Sequence, residues 1–134
     1  VENLRLLCER VLQPVRDHFN QVVTISSGYR NEILSRKIGS SSNSQHCLGM
    51  AADFEIFSVP NNEVSDWIKE NLMFDQLILE YWVPGEPNSG WIHCSYNPEV
   101  NANRKEYLMA IKNIETLQTE YKPILGLSTD RYVK

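Results

Sequence analysis

Ten consecutive residues, Ser44-Gln45-His46-Cys47-Leu48-Gly49-Met50-Ala51-Ala52-Asp53, carry the greatest density of chemically able side chains in the sequence. They supply one imidazole, His46, and one carboxylate, Asp53, with Gly49 between them to let the backbone turn closely. A second imidazole, His93, stands in Trp91-Ile92-His93-Cys94-Ser95. Two imidazoles and one carboxylate form a three-ligand set for zinc. That set leaves one tetrahedral position open, as catalytic sites do and structural sites do not. A metal held in this way acidifies water from a pKa of about 16 to about 7.

Such a site needs a base, and Glu80 is the first candidate. It ends an apolar run and lies thirteen residues before His93, so pairing of the two segments would carry it towards the metal. Glu55, two residues after Asp53, is the second candidate, although a solvated carboxylate is the commoner fate there. Amide hydrolysis also needs positive charge opposite the developing oxyanion. Arg30 follows Gly28 and is placed either to supply that charge, to hold a substrate carboxylate bidentately, or to sit on the surface as an ordinary arginine. Trp91 shares a strand face with His93 and would wall the cleft.

The elements that must position these groups follow from periodicity. Residues 2–19 repeat apolar side chains at three- and four-residue spacing and predict a helix, kinked or divided at Pro14. Cys8 falls on that apolar face and is expected in the core, and His18 is expected to be solvated. Residues 22–25 predict a strand, 31–38 a short helix closed by Gly39, and the small polar stretch 39–45 a loop that delivers His46. Residues 50–57 predict a strand with Asp53 and Glu55 on one face and Ala52, Phe54 and Ile56 on the other. Asn61 or Asn62 is expected to cap a helix reaching Leu72. Residues 74–81 and 91–96 predict strands around a Pro- and Gly-containing loop at 82–90. Residues 106–111 lean to strand, and 116–134 read as a tail interrupted by Pro123. The order predicts an α+β fold in which helices pack on an antiparallel sheet.

Composition excludes several classes. The 134 residues suffice for a core without disulfides, and 42% hydrophobic with 22% charged residues is ordinary for a globule. The net charge of −4, with no basic run among aromatics, excludes a dedicated nucleic-acid binder. No apolar stretch is of membrane-spanning length. Three cysteines, Cys8, Cys47 and Cys94, are not a disulfide framework. Cys47 and Cys94 each follow a histidine, and packing behind the metal is expected rather than ligation, since a strand points Cys94 away from the His93 face.

Ser44-x-His46-x-x-Gly49-x-Ala51-x-Asp53 resembles the S-x-H-x-x-G-x-A-x-D signature of the zinc peptidases that include D-alanyl-D-alanine carboxypeptidases and phage L-alanyl-D-glutamate endopeptidases (metallopeptidase family fifteen, clan MD). The hedgehog signalling domain shares that fold. Ser27-Gly28-Tyr29-Arg30, the run 74–80 ending in Glu80, and Trp91-Ile92-His93 are similar to further segments of the family. The resemblance implies a hedgehog and D-Ala-D-Ala carboxypeptidase-like fold and zinc on His46, Asp53 and His93. It also implies Glu80 as general base, Arg30 as carboxylate or oxyanion binder, and substrate contacts from Tyr29, Arg30, Ser44, Gln45 and Trp91. Many carboxypeptidase relatives carry a histidine where Trp91 stands, which points to the small phage-type branch. The implied substrate is the stem peptide of peptidoglycan, and the implied protein is a monomeric phage lysin or wall-remodelling enzyme without membrane insertion. It would be made in a bacterial cytoplasm and act on the wall in the periplasm or outside. Residues 1–134 would then be a single zinc peptidase domain that begins inside its natural boundary. The rival readings are a non-catalytic zinc-stabilised module, as in the hedgehog relatives, and a wall-binding component of a phage tail.

Overall fold

Strand β2 (Ala51–Glu55) lies inside the sheet, and its alternation sets the fold. Ala52 and Phe54 are buried in the core, while Asp53 and Glu55 on the opposite face are half-buried. The computed structural model describes residues 2–27 and 48–124. Within them the chain forms α1 (Glu2–Leu7), a π-helical turn (Cys8–Leu12), α2 (Gln13–Phe19), β1 (Thr24–Ser27), β2, α3 (Asn61–Asn71), β3 (Gln76–Glu80), β4 (Trp91–Ser95), a 3-10 turn (Val100–Ala102), β5 (Glu106–Lys112) and β6 (Thr119–Pro123).

The six strands run in the order β1-β2-β4-β3-β5-β6. Every neighbouring pair is antiparallel except β3 and β5, which are parallel. This one parallel pair departs from the expected all-antiparallel sheet. Residues 96–105 carry the chain from the end of β4 past the start of β3 instead of turning straight back. Asp75, almost fully buried just before β3, accepts from Arg104 Nε at 2.8 Å and Nη2 at 3.0 Å. It also accepts from the Arg104 backbone N–H at 3.1 Å. That fork clamps the start of β5 beside the start of β3, and the ladder N–H of Glu106 continues from the Asp75 carbonyl.

Among the described residues the helices cover one face only. Leu7, Val11 and Val15 from the N-terminal helix and Val64 and Ile68 from α3 meet Phe54, Leu77, Leu79, Ile92 and Cys94 from the sheet. A fully buried aliphatic or aromatic side chain in such a core contributes about 1.5–3 kcal/mol. Cys8, expected in that core, is exposed. The burial stripe steps by four residues through Leu7, Val11 and Val15, and Cys8 falls off its edge. The division expected at Pro14 takes the form of a π turn, with Pro14 in the first turn of α2. That turn absorbs the proline: the Gln13 N–H bonds to the Cys8 carbonyl five residues back, so the ladder is already offset where proline lacks a donor. Asn20, in left-handed geometry, ends the helix. His18 is exposed as expected and stacks on Trp67 at a centroid distance of 4.3 Å.

Helix α3 also differs at its start. Pro60 occupies the N-cap, and neither Asn61 nor Asn62 caps it with a side chain. Asn61 is instead buried and turned away from the helix. Its Nδ2 donates to the carbonyls of Ser89 at 2.9 Å and Gly90 at 3.3 Å, and its backbone N–H to Pro87 at 3.1 Å. The helix thus holds the end of the 82–90 loop. Part of the expected tail is strand: β6 pairs along β5 and places Pro123 at its last position, on the sheet edge where a missing donor is tolerated. Among the described residues no helix is long and apolar enough to cross a membrane.

Candidate active site

The face of the sheet opposite the described helices carries the chemistry. Asp53 on β2 is directly opposite His93 on β4, and His93 is directly opposite Ile78 on β3. Residues directly opposed across strands place their Cβ atoms about 5 Å apart. Glu80, two residues beyond Ile78, therefore projects from the same face and diagonally to His93. Trp91 is its direct partner across the ladder. Two non-local pairings, β2 with β4 and β3 with β4, thus bring together three residues spread over 41 positions of sequence.

His93 Nδ1 lies 3.0 Å from Asp53 Oδ1, with side chains only 12% and 17% exposed. The pair is sheltered enough to hold a fixed geometry yet reachable from solvent. One donor atom each from Asp53, Glu80 and His93 fall within 4.8 Å of one another, the one group of this kind among the described residues. Two ligands at about 2.0 Å from a tetrahedral ion stand about 3.3 Å apart. The Asp53–His93 contact is close to that separation, and imidazole with carboxylate is a donor set that zinc accepts. The residues present therefore fit a metal. Glu80 is near enough to reach either the ion or a water beside it. Glu55, the alternative base, shares the face but pairs with Thr24 and is not in the group.

The backbone around Glu80 is tightly constrained. Tyr81 follows it with φ +57°, and its N–H bonds to the Ala110 carbonyl at 2.9 Å. Gly90, with φ +66°, packs against the same corner. A Cβ there would stand 1.9 Å from the Glu80 carbonyl oxygen, so no other residue fits without moving the strand end. Gly49, with φ +71°, rests on the Leu4 side chain, and Asn3 Nδ2 donates to the Leu48 carbonyl at 2.8 Å. The N-terminal helix thereby holds the approach to β2. Behind the site Cys94 is fully buried on the core side. Burial, and then the charge of Asp75, push its thiol far above the ordinary range. It serves as packing, as its strand parity predicts, and not as a ligand. A 440 Å³ cavity lined by Glu9, Arg10, Pro14 and Tyr96, among others, lies on the helix side and holds none of the group.

The sequence model of the Peptidase M15 family matches residues 3–95, 93 of the 134 positions. The chain belongs to the peptidase M15 family. The match spans β2, β3 and β4 and so contains Asp53, Glu80 and His93 together. A comparison with curated proteins finds no match. For this M15 chain, the structure brings together four of the residues singled out from sequence: Asp53, Glu80, Trp91 and His93. The others, Tyr29, Arg30, Ser44, Gln45 and His46, lie outside the described residues, as do Cys47 and the helix expected at 31–38. Two features that bear on Glu80 escaped the sequence reading. Gly90 carried a faint signal as the glycine directly before a strand. The aromatic residue Tyr121 carried none, because its place near Glu80 depends on the pairing of β5 with β3 and β6.

Proposed function

We propose that this M15 chain is a zinc-dependent peptidase acting on the stem peptides of bacterial peptidoglycan. The observation that carries the reading is the group formed by Asp53, Glu80 and His93 on the sheet face opposite the described helices. In this reading Asp53 and His93, whose Oδ1 and Nδ1 already face one another, would hold the metal, with His46 as the third ligand. When bound, zinc supplies Lewis acidity, which acidifies water and polarises a carbonyl. Glu80 takes the proton of the attacking water and returns it to the leaving amine, a role that needs a carboxylate within hydrogen-bond reach of the reacting water. Trp91, beside Glu80 on the same face, orients the peptide and helps exclude bulk water.

Arg30 stabilises the developing negative charge or a substrate carboxylate, with Tyr29, Ser44 and Gln45 as further contacts. Two facts support its reach. Strand β1 ends at Ser27, opposite Asp53, and three residues of chain span at most about 11 Å. The protein acts on the wall, as a lysin of phage origin or a remodelling enzyme. Retention of Glu80 within the group favours catalysis over a zinc-stabilised binding module, which needs no base.

Digestion of purified muropeptides by the zinc-loaded chain, read by mass spectrometry, tests this. Loss of terminal D-Ala identifies a carboxypeptidase, and cleavage between L-Ala and D-Glu an endopeptidase. Glu80→Ala is expected to abolish hydrolysis while one zinc per chain stays bound, and His46→Ala to lower zinc affinity sharply. Normal hydrolysis by Glu80→Ala would refute the base assignment, and unchanged metal content in His46→Ala the ligand set.

A further inference from the structure

Glu80 stands in a row that crosses the sheet. On β5 it faces Ala110, and Ala110 faces Tyr121 on β6. Paired residues project from one face, so Tyr121 shares the site face with Glu80 at two strand spacings, about 10 Å. Ala110 is the smallest side chain of the row, yet it is 1% exposed and belongs to no part of the helix-side core. Its neighbours along the row are Glu80 and Tyr121.

The Tyr121 phenol is pushed up by partial burial, then by the charges of Glu80 and Tyr81, which agrees with a ring that faces both. Tyr81 extends the same surface. Its hydroxyl meets Thr119 Oγ1 of β6 at 2.5 Å, and its ring lies 5.4 Å from that of Trp91. Tyr121 itself is 55% exposed, as expected of a side chain on the rim of a cleft. It also lies outside the stretch 3–95 that matches the family.

The chemistry assigns a direction to this surface. The group that protonates the leaving amine must stand on the side of the leaving half of the substrate. If Glu80 is that group, the leaving half passes over β3 towards β5 and β6. We propose that Tyr121, with Tyr81, forms the wall that binds the leaving half of the peptide and selects leaving groups longer than one residue. The proposal rests on the hydrolytic reading of Glu80 given above. An extended peptide covers at most about 3.3–3.6 Å per residue, so a surface reaching about 10 Å from Glu80 spans nearly three residues. A single leaving amino acid cannot reach its far end. The phenol hydroxyl can donate to a peptide carbonyl, and the ring offers an apolar face to short aliphatic side chains.

The test uses the full chain loaded with zinc and two stem peptides that share one acyl half. Hydrolysis releases a single amino acid from the first and two or more residues from the second. Tyr121→Ala is expected to raise KM for the second peptide about tenfold with kcat within twofold, and to change KM for the first less than twofold. Tyr121→Phe, which keeps the ring, is expected to raise KM for the second peptide less than Tyr121→Ala does. Thermal melting checks that both variants remain folded, and should Tyr121→Ala fail that check, a rise of at least threefold in KM for Tyr121→Phe on the second peptide alone carries the proposal. Equal changes on both peptides, no change on either, or a loss confined to kcat would overturn it. A wild type that cleaves neither peptide removes the peptidase reading and this proposal together. A wild type that cleaves both while the variants do not discriminate removes this proposal alone.

Discussion

With Glu80 as the general base proposed above, Gly90→Ala is expected to disable hydrolysis without replacing any group that does chemistry. The added Cβ would stand 1.9 Å from the Glu80 carbonyl oxygen, 2.8 Å from the Tyr81 carbonyl carbon and 2.9 Å from the Trp82 nitrogen. All three are backbone atoms and cannot rotate away. Real Cβ contacts essentially never fall below 3.0 Å, so the backbones of Gly90 and Glu80 must separate by at least about 1.1 Å. Either way Glu80 shifts relative to the Asp53–His93 pair that β2 and β4 hold. A displacement of about 1 Å in a catalytic group costs on the order of a hundredfold in rate, or about 2.7 kcal/mol of transition-state stabilisation. The left-handed φ of +66° adds about 1–2 kcal/mol of destabilisation for any residue with a Cβ. Gly85→Ala is the matched control. Its φ of +88° is equally unfavourable to alanine, but nothing lies within 4 Å of the new Cβ. It is expected to lose similar stability and keep its kcat. The assay is kcat on a wall peptide, with zinc content and urea denaturation measured on the same samples. Full zinc occupancy with kcat down about a hundredfold in Gly90→Ala, and kcat within twofold in Gly85→Ala, is the expected pattern. A Gly90→Ala enzyme with kcat within threefold of wild type would refute the reasoning.

Four further expectations follow from other parts of the structure. Asp53→Ala removes one of the two paired donors and should weaken zinc binding at least tenfold, as read by competition with a chromophoric chelator; the rise in melting temperature on adding zinc should shrink with it. Cys94 should resist iodoacetamide at pH 8 in the folded chain while the exposed Cys8 reacts, as seen by peptide mass spectrometry. The same burial sets a pH dependence. Below about pH 9 the thiol is protonated in both states; above it the unfolded chain releases the proton and the folded chain keeps it. Stability should therefore fall by up to about 1.4 kcal/mol per pH unit, a slope that Cys94→Ala removes from the denaturation curves. Arg104→Ala leaves the buried Asp75 carboxylate without its fork and should cost about 1–3 kcal/mol in denaturant unfolding, with the β3–β5 junction the first to lose amide protection.

Strand parity is a local property, and most of the site was legible through it. Asp53 and Glu55 had to leave one face of β2 if Ala52 and Phe54 entered the core, and the same rule separated His93 from Cys94. The loop of residues 82–90 made a β3–β4 pairing natural and hence a meeting of Glu80 with Trp91. Features that depend on distant pairing were not legible. The parallel β3–β5 contact is fixed by Asp75 and Arg104, 29 positions apart. Asn61 looks like a helix cap in sequence and acts as a clamp on Ser89 and Gly90 because the loop returns to it. Cys8 fits an apolar period, but burial was decided by the direction in which the helix meets the sheet.

By itself the sequence determined the donor types, their strand faces and the family, because side-chain chemistry and two-residue alternation are written residue by residue. Only the tertiary structure decided that Asp53, Glu80 and His93 share one corner, within 4.8 Å. It alone decided that Gly90 locks that corner and that Tyr121 borders it. Strand order and register arise from long-range hydrogen bonds and packing, whose partners no local pattern names.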